Sequence, residues 1–146
     1  MEQEKLLVQE QRKQFKKELE SIELSRLIFI DESGVHCGMS RLYGRAQGKK
    51  RVKGFSRFHP GQRTTLIGAL GCQGFKACLF GSWYTDGAIF LTFIQQNLAQ
   101  SLSLGDIVVM DNLSAHKVKG VKESIEATGA RLLYLPPYSP DLSPLN

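Results

Sequence analysis

Two short apolar runs in this sequence each hand over to an aspartate. Residues 27–30, Leu-Ile-Phe-Ile, lead into Asp31, and residues 107–110, Ile-Val-Val-Met, lead into Asp111. Runs of this kind suit strands buried on both faces. If two such strands are neighbours in a sheet, the carboxylates at their ends lie side by side. Paired carboxylate oxygens are the ligands that Mg²⁺ and Mn²⁺ prefer. Two such ions about 3.5–4 Å apart stabilise both the attacking and the leaving oxygen of a phosphodiester cleavage. Each aspartate can equally be a turn former after a strand, in Asp-Glu-Ser-Gly or Asp-Asn turns. From the residues alone both readings stay open.

The elements that must position these acids follow from periodicity and turn chemistry. Residues 2–24 form one helix, with Val8, Phe15, Leu19 and Ile22 near helical spacing and Glu and Lys elsewhere. It is either a linker helix or an edge of the domain. The strand at 27–30 is expected to stop at Asp31. The Gly-rich, basic segment 39–60 reads as a short strand pair or a loop. Residues 64–71 and 76–83 read as an antiparallel hairpin around Cys72, Gln73 and Gly74. A helix follows, capped by Thr85 or Asp86, with Phe90, Ile94, Leu98 and Leu102 on one face. Asp106 starts the next strand. Val118, Val121 and Ile125 mark a further helix that Gly129 closes with a left-handed cap. Residues 131–135 form a last strand stopped by Pro136 and Pro137, and the tail opens one more helix. The order gives a mixed α/β sheet.

Length and composition agree with this. A chain of 146 residues, 42% hydrophobic, holds one domain with a real core. No apolar run is long enough to span a membrane, and the charged N-terminus has no secretory h-region. The three cysteines, Cys37, Cys72 and Cys78, have neither disulfide nor zinc spacing. They read as small buried thiols in a reducing cytosol. The net charge of +5 is unevenly spread. Residues 33–85 contain no Asp or Glu but hold Arg41, Arg45, Lys49, Lys50, Arg51, Lys53, Arg57, Arg63 and Lys76. Such a block favours a polyanion such as DNA, the bland alternative being a solvated basic face.

Three segments carry a resemblance. Phe-Ile-Asp-Glu-Ser-Gly around Asp31, Val-Val-Met-Asp-Asn-Leu-Ser-Ala-His-Lys around Asp111, and residues 133–146 resemble the DDE superfamily endonuclease domain of bacterial insertion-sequence transposases, in the mariner-related superfamily. The likeness runs from about residue 26 to 146. It implies a ribonuclease-H-like mixed sheet, an antiparallel hairpin plus parallel strands flanked by helices, with the final helix truncated. It divides the chain into a linker helix, 1–25, and a catalytic core, 26–146, incomplete at its C-terminal end. It also implies Mg²⁺ or Mn²⁺ catalysis, two ions in the intact family site. The reaction would cut DNA at element ends and join the freed 3′-hydroxyl to target DNA. Asp31 and Asp111 match the first two acids, and His116 completes the pattern Asp-Asn-x-x-x-His.

The third acid of the family is a Glu, and the position aligned with it is Asn146, with 34 residues between it and Asp111. An Asn carbonyl can bind a metal but brings no charge and cannot take a proton from an attacking water. The expectation is therefore a chain inactive alone. The alternative is a non-catalytic remnant that binds DNA or pairs with a full-length transposase. The 26 residues before the first catalytic strand leave end recognition expected to be missing or supplied by a separate helix-turn-helix polypeptide or a full-length transposase; a homodimer and a cytoplasmic, nucleoid-associated protein also fit. His116, beside Lys117, either touches phosphate near the metals or is a polar residue opening a helix. Glu32 should face away from Asp31. Asp141 reads as a turn or cap residue, and Trp83 and Tyr84 as core or rim.

Overall fold

The computed structural model describes residues 2–39, 43–48, 51–55, 61–137 and 139–143. Among them the chain forms α1 (Glu2–Glu20), β1 (Leu27–His36), β2 (Arg63–Gly71) and β3 (Gly74–Gly81), then α2 (Gly87–Thr92), β4 (Ile107–Met110), α3 (Val121–Glu126) and β5 (Arg131–Tyr134). The strands make one five-stranded sheet in the order β3-β2-β1-β4-β5. β1 is antiparallel to β2 and parallel to β4, and β4 is parallel to β5. The hairpin and the two helical crossovers predicted from patterning are thus present.

Strand alternation divides the apolar side chains between two layers. Ile28, Ile30, Ile67, Ala69, Val108 and Met110 point to one face, where they meet Phe90, Phe93, Ile94, Leu98, Val121 and Ile125. Leu27 and Val109 point to the other, where they meet Leu135 and Phe15 of α1. Fully burying a side chain the size of Phe15 is worth about 1.5–3 kcal/mol. That burial makes α1 an edge layer of the sheet, reinforced by Arg131 and Glu18 at 2.9 Å.

The structure departs from the sequence reading in five places. The first helix ends at Glu20 rather than residue 24, and a 3₁₀ turn at Leu24–Arg26 leads into β1. β1 does not stop before Asp31. It pairs with β2 from Ile28 through His36, because the long partner strand supplies ladder bonds that polar residues accept as readily as apolar ones. The helix after β3 is not uniform. Asp86 caps it, accepting from the Ile89 N–H at 2.9 Å, but it passes at residues 93–98 into a π turn and ends in a 3₁₀ turn. The wider turn lets Phe93 join Phe90, Ile94 and Leu98 in the core. Val118 lies outside α3 and is exposed, because the backbone turns at Gly120 (φ 101°) before the helix begins. The cysteines are exposed rather than buried. Cys72 sits in the hairpin turn, Cys37 follows β1, and Cys78 points outward from the edge strand β3.

In the segment 39–60, the described residues 43–48 and 51–55 contain no strand. No helix among the described residues is long and apolar enough to cross a membrane.

Candidate functional site

The pairing of β1 with β4 brings the two aspartates to one level. Leu27 pairs with Ile107, Ile28 with Val108 and Phe29 with Val109. The offset is 80 residues throughout, so two steps further on Asp31 stands beside Asp111. Ile30 and Met110 point into the helix-covered core. Alternation therefore turns both aspartates to the other face, the one α1 covers. Both line a cleft of about 490 Å³, whose walls also include Asn112, Leu113, Pro136, Ser139 and Ser143. Asp31 is half-buried and accepts from the Glu32 backbone N–H at 2.8 Å. Glu32 lies opposite Ile67 in the register, on the face away from Asp31.

Asp111 is held more tightly. Its Oδ1 accepts from the Leu113 N–H at 3.3 Å and is in close contact with Nδ1 of His116. His116 is 3% exposed and stacks on Phe90 with ring centroids 4.1 Å apart. The contact with Asp111 is an ion pair when the imidazole is protonated. Partial burial pushes the Asp111 pKa up; the His116 contact and charge and the Leu113 N–H outweigh it and leave Asp111 below the ordinary carboxylate value. The hydroxyl of Tyr134 donates to the His116 carbonyl at 3.2 Å, fixing the turn that carries the ring. The expected phosphate contact of His116 meets a physical obstacle, because its ring is buried and turned to Asp111.

The basic residues divide. Arg45, Arg51 and Lys53 are exposed. Lys117 is exposed too, with Nζ 5.5 Å over the Tyr134 ring. Arg63 is only half-exposed. It pairs with His36 in the ladder, on the face opposite Asp31, and its guanidinium lies 4.9 Å over Tyr84. It is thus a packed arginine of the core-side face rather than part of the cleft. Arg41, Lys49, Lys50, Arg57 and Asn146 lie outside the described residues.

What the cleft can do chemically is set by its donors. Two carboxylates on one wall fit a hard divalent cation that keeps much of its water. Among the described residues, no group of three or more His, Cys, Asp and Glu is placed to hold a metal ion. The described cleft therefore offers a half-site of two anions.

One residue escaped the sequence reading. Arg12 lies on the inner stripe of α1 with Val8, Phe15, Leu19 and Ile22, where spacing calls for an apolar side chain. Its Nη1 donates to Ser139 Oγ at 3.0 Å and Asp141 Oδ1 at 2.9 Å, and its Nη2 to Asp141 Oδ2 at 2.5 Å. The charge within an apolar stripe was the signal. Asp141, read as a turn or cap residue, is the partner.

Comparison with known proteins gives the family and the fold. The profile of a family described as DDE superfamily endonuclease matches residues 26–146. No curated protein matches the chain in sequence. Solved structures of Mos1 transposase share the fold. The paired-end complex with the left transposon end gives a TM-score of 0.69 at 18% identity, over 96% of this chain and 42% of that one. The paired-end complex with Mg gives 0.73 at 17% identity, over 94% and 44%. The isolated catalytic domain gives 0.61 at 15%, over 94% and 63%. The chain thus spans less than half the length of the transposase chains in those complexes. The sheet and its flanking helices are those of the transposase catalytic domain, a ribonuclease-H-like α/β fold.

Proposed function

From the premise that the chain belongs to the DDE superfamily of endonucleases, we propose that it is a transposase catalytic-core segment whose cleft holds a divalent metal through Asp31 and Asp111. The observation that carries this reading is that Asp31 on β1 and Asp111, the residue after the neighbouring parallel strand β4, line one cleft. The substrate is DNA, and the reaction is phosphodiester cleavage followed by strand transfer. Neighbours crystallised as a transposon paired-end complex and as a strand transfer complex support that assignment. Crystals of the same transposase with Mn and with Mg support the cofactor, Mg²⁺ or Mn²⁺, two ions where the site is complete. We also infer that the chain is of insertion-sequence type and acts at the nucleoid.

Bound there, the metal would supply charge stabilisation and an activated water for attack on phosphorus. The residues of the chain do the rest. Asp31 and Asp111 supply the anionic oxygens. His116 keeps Asp111 ionised and fixes its Oδ1, as an outer-shell partner does for a ligating carboxylate. Pro136, Pro137 and Leu135 wall the cleft and limit its hydration. Asn146 stands at the position of the third acid. It supplies no charge and accepts no proton, so this chain cleaves poorly by itself.

Nicking of supercoiled plasmid in Mn²⁺ tests the reading. The parent should nick weakly. Asn146→Glu should raise the rate by about a hundredfold or more, the low end of what a missing general base costs. Asp31→Asn in the Glu background should abolish the gain. Vigorous nicking by the parent that survives Asp31→Asn would contradict it.

A second reading has its own observation. Arg45, Arg51 and Lys53 are exposed in a stretch without acidic residues, so the chain can bind DNA without cutting it. A metal-independent gel shift that weakens steeply with salt, and weakens further when Lys49, Lys50 and Arg51 are reversed in charge, would favour it.

A further inference from the structure

Among the described side chains of α1, Arg12 is the one cation on the inner stripe that carries Val8, Phe15 and Leu19. Its neighbours on the stripe are apolar, and its guanidinium, still open to solvent, reaches past them for acceptors. It finds them in the segment that follows β5. Both terminal nitrogens engage the carboxylate of Asp141 in a fork, and Nη1 also reaches the hydroxyl of Ser139. Such two-pronged pairs fix orientation as well as distance. Ser139 is 3% exposed and its hydroxyl donates to the Pro137 carbonyl at 3.1 Å. Ser139 and Asp141 are thus tied to α1, and Leu142 packs against the cluster of Phe15, Leu27, Val109 and Leu135.

Ser139 and Ser143 line the same cleft as Asp31 and Asp111. Residue 146, three positions beyond Ser143, is the third-acid position of the family motif. Whatever fixes this segment therefore fixes part of the lining that the cleft shares with the two carboxylates. We propose that Arg12 is a positioning residue of the metal site: a strut from α1, outside the residues that match the family profile, that sets the distance between the Ser139–Ser143 wall and the Asp31–Asp111 pair. This rests on the metal-binding reading above. Asp141 is held below its ordinary carboxylate value chiefly by the Arg12 hydrogen bond, which keeps the strut's acceptor charged throughout the neutral range. The neighbouring acid–base contact of α1, Glu18 with Arg131, ties the helix to β5 and leaves the cleft wall untouched.

The experiment compares the parent chain with Arg12→Ala, Arg12→Lys and the exchanged pair Arg12→Asp with Asp141→Arg. Mn²⁺ affinity is read by calorimetry, and exchange of the 139–143 backbone amides by mass spectrometry. Arg12→Ala should weaken Mn²⁺ binding by about tenfold, as loss of an outer-shell partner does, and should speed amide exchange in 139–143. Far-UV circular dichroism should stay unchanged. Arg12→Lys, a point charge without the fork, should fall between, and the exchanged pair should recover part of the affinity. Parent-like Mn²⁺ affinity in Arg12→Ala, or an exchanged pair no better than Arg12→Ala, would overturn the strut. Should the parent itself bind no Mn²⁺, the metal reading fails, and amide exchange alone decides: unchanged exchange in Arg12→Ala removes the strut, and faster exchange at 139–143 retains it as a clamp on the cleft wall.

Discussion

The Asp111 carboxylate rests on a histidine that solvent barely reaches: Nδ1 of His116 contacts Oδ1 of Asp111 while the imidazole stacks on Phe90 at 4.1 Å. One ring thereby joins the helix-covered core to the cleft on the other side of the sheet, so packing and ligand orientation depend on the same side chain.

Replacing His116 separates these two roles. His116→Ala removes a buried ring and leaves Asp111 without its side-chain partner, and should cost about 2–4 kcal/mol in urea denaturation. His116→Phe keeps an aromatic ring against Phe90 and should recover most of that stability. Neither variant can donate to Asp111, so both should lose Mn²⁺ affinity by about 10–100-fold. Parent-like affinity in His116→Phe would show that the contact does not orient the carboxylate.

The Arg12–Asp141 pair gives a pH dependence of known sign. Asp141 is lowered from the ordinary value of 3.8, first by its hydrogen bond to Arg12. A carboxylate depressed on folding contributes stability that is complete above the unfolded value and is lost as pH falls through the folded one. The melting temperature of Arg12→Ala should therefore lie below that of the parent at pH 7. The gap should close as pH drops below about 3.8, where Asp141 takes up its proton. The pair is exposed, so the gap should also shrink in high salt. A gap that persists at acid pH would assign the effect to lost packing of the arginine stem.

Phe93 is fully buried in the π turn. Phe93→Ala should cost about 3–5 kcal/mol by chemical denaturation, as much as Phe90→Ala, although only Phe90 lies on the helical stripe read from the sequence. A cost under about 1 kcal/mol would mean that the turn relaxes to ordinary helix and buries another side chain instead.

How far the sequence led can be judged from particular residues. Leu27 to Ile30 and Ile107 to Met110 are apolar without interruption, which marks doubly covered strands, but their adjacency is seen only in the strand order. The hairpin was legible in Cys72-Gln73-Gly74, because Gly74 takes φ 110° at the exit of the turn. The helix cap was legible as Thr85 or Asp86, and the structure settles it on Asp86. The extension of β1 past Asp31 was not legible, since Asp-Glu-Ser-Gly has turn composition and only the β2 ladder overrides it. The π turn left no mark either, because a single inserted residue shifts the stripe without breaking it. Cys72 and Cys78 looked like core residues by type, yet their positions in a turn and on an edge strand expose them. Arg63 belonged by charge to the basic block, and only strand alternation reveals that it faces away from the cleft.

The pairing of Asp31 with Asp111 across one cleft is tested most directly by anomalous diffraction at the manganese edge from crystals of the 146-residue chain soaked in Mn²⁺. The account predicts a peak bridging the carboxylates of Asp31 and Asp111, at metal–oxygen distances of roughly 2.0–2.3 Å, that vanishes in Asp111→Asn. Manganese bound elsewhere with the two carboxylates bare, or a bridging peak unmoved by Asp111→Asn, would contradict it.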